Sequence, residues 1–184
     1  MGEFYKIMPI AAASNALTTV ANVKYVWGRP QADTGDDDRI QTLINLISDR
    51  IEYWCGRKFT KQTYTDELHD GNGDNYLFLK QYPIVSVTEI KRDDIAVDSD
   101  YYKVYEDEGF VLKETYWTKG YQNLKVTYEA GFETIPPAIA EIAIEWIIML
   151  LEGRMKDAKV DGSEMGNPPD SIMLGLAPFK RRDF

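Results

Sequence analysis

The stretch HDGNGDNYLFL, residues 69–79, holds the side chains most suggestive of metal chemistry in this chain of 184 residues. From Asp70 onward, acidic and amide residues alternate with glycines, which is how an EF-hand calcium loop begins. Such a loop needs glycine at its sixth position and an acid at its twelfth, and those positions here hold asparagine and glutamine. The pattern therefore predicts a tight turn before a β-strand, with Gly71 and Gly73 supplying positive φ angles. No metal site is predicted.

The lone histidine, His69, and the lone cysteine, Cys55, are the next candidates for chemistry. They cannot build a disulfide framework or a Cys/His zinc site, and they fall in different predicted elements, which disfavours a nucleophile–base pair. His69 lies beside Asp70, but the sequence has no G-x-S-x-G nucleophile motif and no glycine fingerprint of a nucleotide site. Acidic residues concentrate between Glu89 and Glu108, where turn carboxylates are expected to be solvated and not paired as in a carboxylate hydrolase. We predict no enzyme and no cofactor.

Aromatic side chains are the remaining candidates for ligand contact, because exposed rings can stack on sugars or bases. Six tyrosine and tryptophan residues lie between residues 101 and 121, and their strand-and-turn setting favours packing. A β-rich module that binds carbohydrate or protein through an aromatic surface remains the alternative function. The six residues are Tyr101, Tyr102, Tyr105, Tyr116, Trp117 and Tyr121.

Charge and composition exclude several classes of protein. The net charge of −9 argues against a protein whose main task is to grip DNA, although repulsion would help on a surface that DNA slides past. Hydrophobic residues make up 44% of the chain, which is enough to bury a core. The most apolar run, residues 138–151, has the length of a core helix, and Pro9 interrupts the apolar stretch near the N-terminus. Neither a transmembrane span nor a signal peptide is predicted.

Three helices are predicted from capping residues and from apolar residues at helical spacing. Thr18 or Thr19 begins the first, and Gly28 and Gly56 end the first and the second. The third follows two prolines and is apolar on nearly all sides, which is typical of a helix at the centre of a fold or packed between subunits. The predicted bounds are 20–27, 37–55 and 138–152.

Between the second and third helices, the composition changes to tyrosine, valine, threonine and isoleucine with frequent turns, which predicts antiparallel strands. In the last strand, Leu124, Val126 and Tyr128 are expected on one face. The fold class is therefore α+β, with a small helical core of three main helices, an inserted antiparallel β-rich region and an extended C-terminal tail. The predicted strands lie near residues 60–68, 75–80, 84–91, 101–105, 109–113 and 123–129.

The C-terminal residues combine an apolar cluster with a basic end, carried on a polar linker. Such a segment either docks on a partner or folds back onto its own core, and the sequence leaves both interpretations open. The predicted organisation is an N-terminal arm, a single domain with its β-rich insertion, and a linker with the docking tail. These parts cover residues 1–17, 18–155 with the insertion 59–129, and 156–184.

The order of these segments resembles that of the head–tail connector proteins of tailed bacteriophages, also called head-completion or first adaptor proteins. The resemblance covers residues 16–182 and is carried most specifically by GRKF, LFLKQYPIVSVTEI and NLKVTYEAGFETIPPAI. It implies a ring, a dodecamer in the virion, that assembles under the portal after DNA packaging and extends the DNA channel. The ring would present a surface to the next connector, to a stopper or to the tail. DNA would pass through without specific binding, and no membrane would be involved.

The resemblance also assigns roles to residues. It implies that the C-terminal end engages the portal protein, and the apolar third helix suits contacts between subunits. The location would be the head–tail junction of the virion, after synthesis in the cytoplasm of the bacterial host. The resemblance does not decide the position of the long insertion, which would lie either outside the ring or toward the tail. Portal docking is expected from Ile172, Met173, Leu174, Leu176, Phe179, Lys180, Arg181 and Arg182, and inter-subunit contact from Ile139, Ile142, Trp146, Met149 and Leu150.

Overall fold

The structure is a computed structural model that describes residues 10–153 and 168–181. The described chain forms two compact units. A helical unit contains the described residues up to Gly56 and those from Ile135 to Lys180, and a β unit contains Arg57–Thr134. The prediction of an α+β fold is confirmed.

The helical unit contains the three predicted helices and a fourth short one. The Thr19 side chain caps the first helix by accepting a hydrogen bond from the Asn22 N–H at 3.2 Å. Gly28 and Gly56 adopt φ angles of 71° and 66° and end the first two helices, as their positions predicted. The helices are α1 (Val20–Trp27), α2 (Asp37–Cys55), α3 (Pro137–Leu151) and α4 (Asp170–Leu176), and a 3-10 turn (Ala177–Phe179) follows α4.

Apolar residues at helical spacing pack α2 against α1 and α3. Polar contacts fasten the neighbouring segments to this core. Leu17 N–H donates to the Ser48 hydroxyl at 3.0 Å, so the chain before α1 lies along α2. The buried ammonium of Lys24 pairs with Asp37 and thereby fixes the loop between α1 and α2. The buried stripe of α2 is Ile40, Ile44, Ile47 and Ile51.

The β unit consists of two antiparallel sheets that share one core. The four-stranded sheet has the order β1-β7-β3-β4 and the three-stranded sheet the order β2-β6-β5. Leu124, Val126 and Tyr128 are fully buried, which confirms the face predicted for the last strand. They pack in one cluster with Leu77 and Val111 of the smaller sheet. The strands are β1 (Gln62–Gly71), β2 (Tyr76–Phe78), β3 (Ile84–Arg92), β4 (Ile95–Ala96), β5 (Tyr102–Tyr105), β6 (Phe110–Lys113) and β7 (Gly120–Ala130).

The predicted turn after residue 69 is present, although the two glycines act differently. Asn72 Oδ1 accepts a hydrogen bond from the Asp74 N–H at 2.9 Å, and Gly73 has a φ of 83°. Gly71 is not among the residues with positive φ, so the role predicted for it was wrong. A Cβ at Gly71 would lie 1.9 Å from the Thr118 carbonyl oxygen, so this residue is needed for a close backbone approach.

The sequence predicted an extended tail, but the described residues after 168 are mainly helical. The expected linker lies largely outside the described residues. The helices of the described chain are also too short, or not apolar enough, to span a lipid bilayer.

Candidate assembly surfaces

An exposed apolar groove runs between α1 and α3, and we call it the α1–α3 groove. Two adjoining cavities of about 320 and 310 Å³ follow it and share Val26, Glu141 and Ile144 as lining residues. Ile148 and Met149 extend its apolar lining along α3. Val26 is 58% exposed although it is apolar, so this surface is available to a partner.

The rim of the α1–α3 groove is acidic. Glu141, Glu145 and Glu152 line the larger cavity, and no basic residue lines either of the two cavities. The Trp27 indole N–H donates to Glu152 Oε1 at 3.2 Å, which joins the carboxyl-terminal ends of α1 and α3. The geometry suits a partner surface that buries apolar side chains and brings polar or basic groups to the rim.

The five residues predicted for inter-subunit contact occupy three different environments. Ile139 and Trp146 are 0% and 1% exposed in the single chain, so their side chains offer no surface to a neighbour in this conformation. Ile142 is half-buried and lies under α4, where a Cβ on Gly175 would be 3.2 Å from Ile142 Cδ1. Leu150 is half-buried, and Met149 is half-buried and lines the α1–α3 groove.

The residues predicted to dock on the portal divide between two faces of α4 and the following turn. Ile172 and Leu176 are buried, so this part of the segment folds back onto its own unit. Leu174 is 78% exposed and faces solvent. Lys180 Nζ lies 5.3 Å from the ring centroid of Trp54 on α2. Met173 and Phe179 are half-buried, Lys180 and Arg181 are exposed, and Arg182 lies outside the described residues.

The histidine belongs to a buried polar cluster in the β unit. Glu67 Oε1 accepts a hydrogen bond from the Tyr128 hydroxyl at 2.9 Å and lies 2.7 Å from His69 Nε2. Burial raises the pKa of Glu67. The hydrogen bonds from His69 and the Tyr128 hydroxyl, and the charge of His69, lower it by more, so the pKa of Glu67 lies below its usual value. Burial and the neighbouring carboxylate raise the pKa of Tyr128. The three groups satisfy one another, as in a structural polar network.

The other candidates for chemistry have structural surroundings. Asp70 does not pair with His69, and its Oδ1 accepts a hydrogen bond from the Gln122 N–H at 2.6 Å. Cys55 is buried at the end of α2. Among residues 10–153 and 168–181, no group of three acidic, histidine or cysteine side chains is arranged to hold a metal ion.

The six aromatic residues singled out from the sequence do not form one surface. Trp117 is 1% exposed and belongs to the core of the β unit, and Tyr102 packs against that core. Tyr105 stacks on Phe110, which the sequence analysis did not single out. The remaining three are exposed: Tyr101, Tyr116 and Tyr121.

Sequence reasoning also missed the residues of the α1–α3 groove other than Met149. Val26 and Trp27 lie in a helix of only eight residues, which is too short for periodicity to show which side is exposed. A usable signal was present on α3. Glu141 and Glu145 lie one turn apart on an otherwise apolar helix, and they mark the strip that faces the groove.

Comparisons with known proteins identify one family and, separately, a shared fold. A family model described as "Head completion protein" matches residues 16–149. Among solved structures, the chain is similar to one described as "Neck of native GTA particle computed with C12 symmetry", with 12% identity and a TM-score of 0.60. It is also similar to "Neck of empty GTA particle computed with C6 symmetry", with 14% identity and a TM-score of 0.62.

A third similar structure, described as "Virion of native gene transfer agent (GTA) particle", shares 15% identity and gives a TM-score of 0.61. Each of the three similarities covers 96% of this chain and 96% of the other chain. At these identities the similarity shows a shared fold. No curated protein sequence matches the chain.

Proposed function

This chain belongs to the head completion protein family, and we propose from that premise that it is a non-enzymatic adaptor at the head–tail junction of a phage-like virion. The proposed adaptor is made in the cytoplasm of the bacterial host and joins the packaged head to the next connector, to a stopper or to the tail. The network of Glu67, His69 and Tyr128 supports a structural role, because these groups satisfy one another inside the β unit.

The adaptor acts as a closed ring of identical subunits, with twelve as the proposed number. Solved structures of similar fold include necks of particles computed with C12 and with C6 symmetry, and a ring of twelve identical subunits is compatible with both. A cyclic ring larger than a dimer needs a heterologous interface, in which one surface of each protomer fits a different surface of its neighbour. The α1–α3 groove is the proposed half of this interface, with Met149 and Val26 in the contact.

The ring sits under the portal after packaging, and the C-terminal residues make the contact with the portal. Leu174, Lys180 and Arg181 are exposed and supply an apolar side chain and two positive charges for it. Ile172 and Leu176 hold this segment on the helical unit. The proposed channel does not bind the DNA that passes through it, since the net charge of −9 on each chain disfavours contact with DNA phosphates.

The observation that carries the ring proposal is the exposed apolar lining of the α1–α3 groove. Val26→Glu places a negative charge in the apolar lining of the groove, beside its acidic rim, and should prevent ring formation. Leu46→Glu is the matched control, because Leu46 is also an exposed apolar helix residue, 38% exposed, and does not line the groove. Circular dichroism should show that both variants fold.

The assay uses packaged heads that lack this protein, with each purified variant added back. Electron microscopy then measures neck density on the portal, and nuclease protection measures DNA retained in the head. We expect the wild-type protein and Leu46→Glu to add a ring, and Val26→Glu to add none. Normal addition of Val26→Glu would exclude the groove as the subunit contact. Failure of the wild-type protein to add to heads would exclude the adaptor function itself.

The same heads test the C-terminal contact. Leu174→Glu changes an exposed residue, so the protein should remain folded but should no longer complete the heads. Leu46→Glu again serves as the control for an added surface charge. Heads completed normally by Leu174→Glu would show that this side chain does not contact the portal.

A further inference from the structure

The outer face of the three-stranded sheet in the β unit is mainly apolar, although the exposed Lys103 of β5 pairs with Leu112 on it. Phe110 of β6 lies between Phe78 of β2 and Tyr105 of β5 in the register of the sheet, so their side chains share one face. Tyr76 and Leu112 are paired on this same face. The alternate residues Leu77 and Val111 belong to the core cluster on the opposite face. We call the surface formed by Tyr76, Phe78, Tyr105, Phe110 and Leu112 the aromatic face.

Four rings of the aromatic face contact one another and remain partly exposed. The Tyr105 and Phe110 centroids are 4.5 Å apart, and Phe110 lies 5.5 Å from Phe78 and 5.3 Å from Tyr76. Tyr76 and Tyr105 are 42% and 38% exposed. The outer face of an antiparallel sheet is usually polar, so a contiguous aromatic surface there indicates an interaction site.

The arrangement of the rings favours a protein partner over a sugar. The Tyr76 ring is inclined at 64° to Phe110, and the Phe78 ring at 58°, so the three do not form a flat platform. Tyr105 and Phe110 are stacked on each other at 17° and cover part of each other's faces. Aromatic rings packed in this way are typical of the apolar centre of a protein–protein interface.

Acidic residues border one end of the aromatic face. The loop that joins Tyr105 to Phe110 contains three consecutive acids, all of them exposed. Gly109 closes the loop with a φ of 76° and donates its N–H to the Tyr105 carbonyl at 3.0 Å. A partner that covers the rings must bring positive charge to this edge, because an uncompensated acidic cluster would oppose binding. The acids are Glu106, Asp107 and Glu108.

We propose that the aromatic face binds the next protein of the neck, through a surface of that protein that carries apolar side chains edged by lysine or arginine. This inference rests on the proposed function, in which the chain joins the head to the tail. The α1–α3 groove and the C-terminal residues serve the ring and the portal. The aromatic face is a further apolar surface of the described chain, and it would serve the remaining contact.

The test is a joining assay with packaged heads that lack this protein and with purified tails of the same virus, which carry the remaining neck proteins. The double variant Tyr105→Ser, Phe110→Ser removes two adjacent rings of the aromatic face. Tyr121→Ser is the matched control, because Tyr121 is 94% exposed and lies in β7 of the other sheet. Neck density and retained DNA report addition to the head, and the fraction of tailed particles reports joining.

We expect the double variant to add to heads normally and to lower the fraction of tailed particles by about tenfold or more. A tenfold loss corresponds to about 1.4 kcal/mol of binding free energy, which is typical for the removal of central interface residues. The control should join tails like the wild-type protein. Tails joined at the wild-type level by the double variant would overturn the proposal. Failure of the wild-type protein to add to heads would overturn the proposed function instead, so the two failures are distinguishable.

A second variant covers the case in which the double variant does not fold. Replacement of the three loop acids by their amides, E106Q with D107N and E108Q, changes only exposed side chains. Joining by the wild-type protein should weaken as salt rises from about 50 to 500 mM, because salt screens the attraction of exposed charges. The amide variant should join tails several-fold less well at low salt and should lose this salt dependence. An unchanged yield and salt dependence would overturn the proposal.

Discussion

The carboxylate of Glu67 links two strands of the β unit. It accepts the Tyr128 hydroxyl of β7 and contacts His69 of its own strand, and its side chain is only 13% exposed. The position is unusual locally, because the register between β1 and β7 shifts between Tyr64 and Glu67, and Asp66 has a φ of 49°. This irregularity turns the Glu67 side chain toward Tyr128, and no feature of the sequence indicated it.

Glu67→Gln should lower the free energy of unfolding by about 1–3 kcal/mol near pH 7, because it removes a charged acceptor from a buried network. The pKa of Glu67 is lower in the folded protein than its usual value of about 4.3. Its ionised form therefore stabilises the fold above that usual pKa, and the stabilisation is lost as pH falls through the lower folded pKa. Urea denaturation at several pH values should show the wild-type protein approaching the variant as the solution becomes acidic.

Glu89→Gln is the matched control for this prediction. Glu89 pairs with Lys91 at 2.7 Å on the surface of β3, where an ion pair contributes little to stability. Its substitution should change the free energy of unfolding by less than about 1 kcal/mol. A difference between the wild-type protein and Glu67→Gln that stayed constant down to strongly acidic pH would contradict the assigned role of Glu67.

At the scale of elements, the short helix α4 depends on its tertiary contacts. It has seven residues, which is too short for a stable isolated helix, so its structure depends on packing. Leu176→Ala should weaken that packing by about 2–5 kcal/mol, because Leu176 is 0% exposed. Hydrogen exchange at residues 172–176 should become faster, while the amides of α2 keep their protection.

Leu174→Ala is the control on the solvent side of α4, since Leu174 is 78% exposed. It should leave the exchange rates of α4 within a few-fold of those in the wild-type protein. Equal acceleration by both substitutions would mean that α4 is not held by its buried face. Leu174 would then not lie on a helix held in a fixed position.

The elements differ in how far the sequence determined them. The bounds of α1 and α2 were predicted within a residue, because Thr19, Gly28 and Gly56 act locally as caps. Strand β4 was missed, since two residues carry no periodicity. The environment of α3 could not be predicted either. Its apolar residues surround the helix, and whether Ile142 contacts α4 or a neighbour depends on a segment distant in sequence.

For the whole molecule, the decisive property is charge. The net charge is −9 and the pI is about 4.7, so the chain repels the phosphates of DNA near neutral pH. In the free protein, the exposed acids Glu106, Asp107 and Glu108 and the glutamates on the rim of the α1–α3 groove contribute to this repulsion. In the proposed ring, acids that stay exposed to the DNA channel would ease the passage of DNA, because a surface that held DNA would oppose it.

We therefore expect the purified protein to leave the electrophoretic mobility of linear duplex DNA unchanged at pH 7 and about 150 mM salt, since a protein that contacts several phosphates binds detectably under such conditions. The triple variant E106K, D107K and E108K tests whether negative charge is what prevents DNA binding, because it reverses three exposed charges in one loop. Its affinity for DNA should rise and should fall again with added salt, through release of counterions. A mobility shift by the wild-type protein that weakens steeply with salt would show a phosphate-binding surface, and a passive channel would then be excluded.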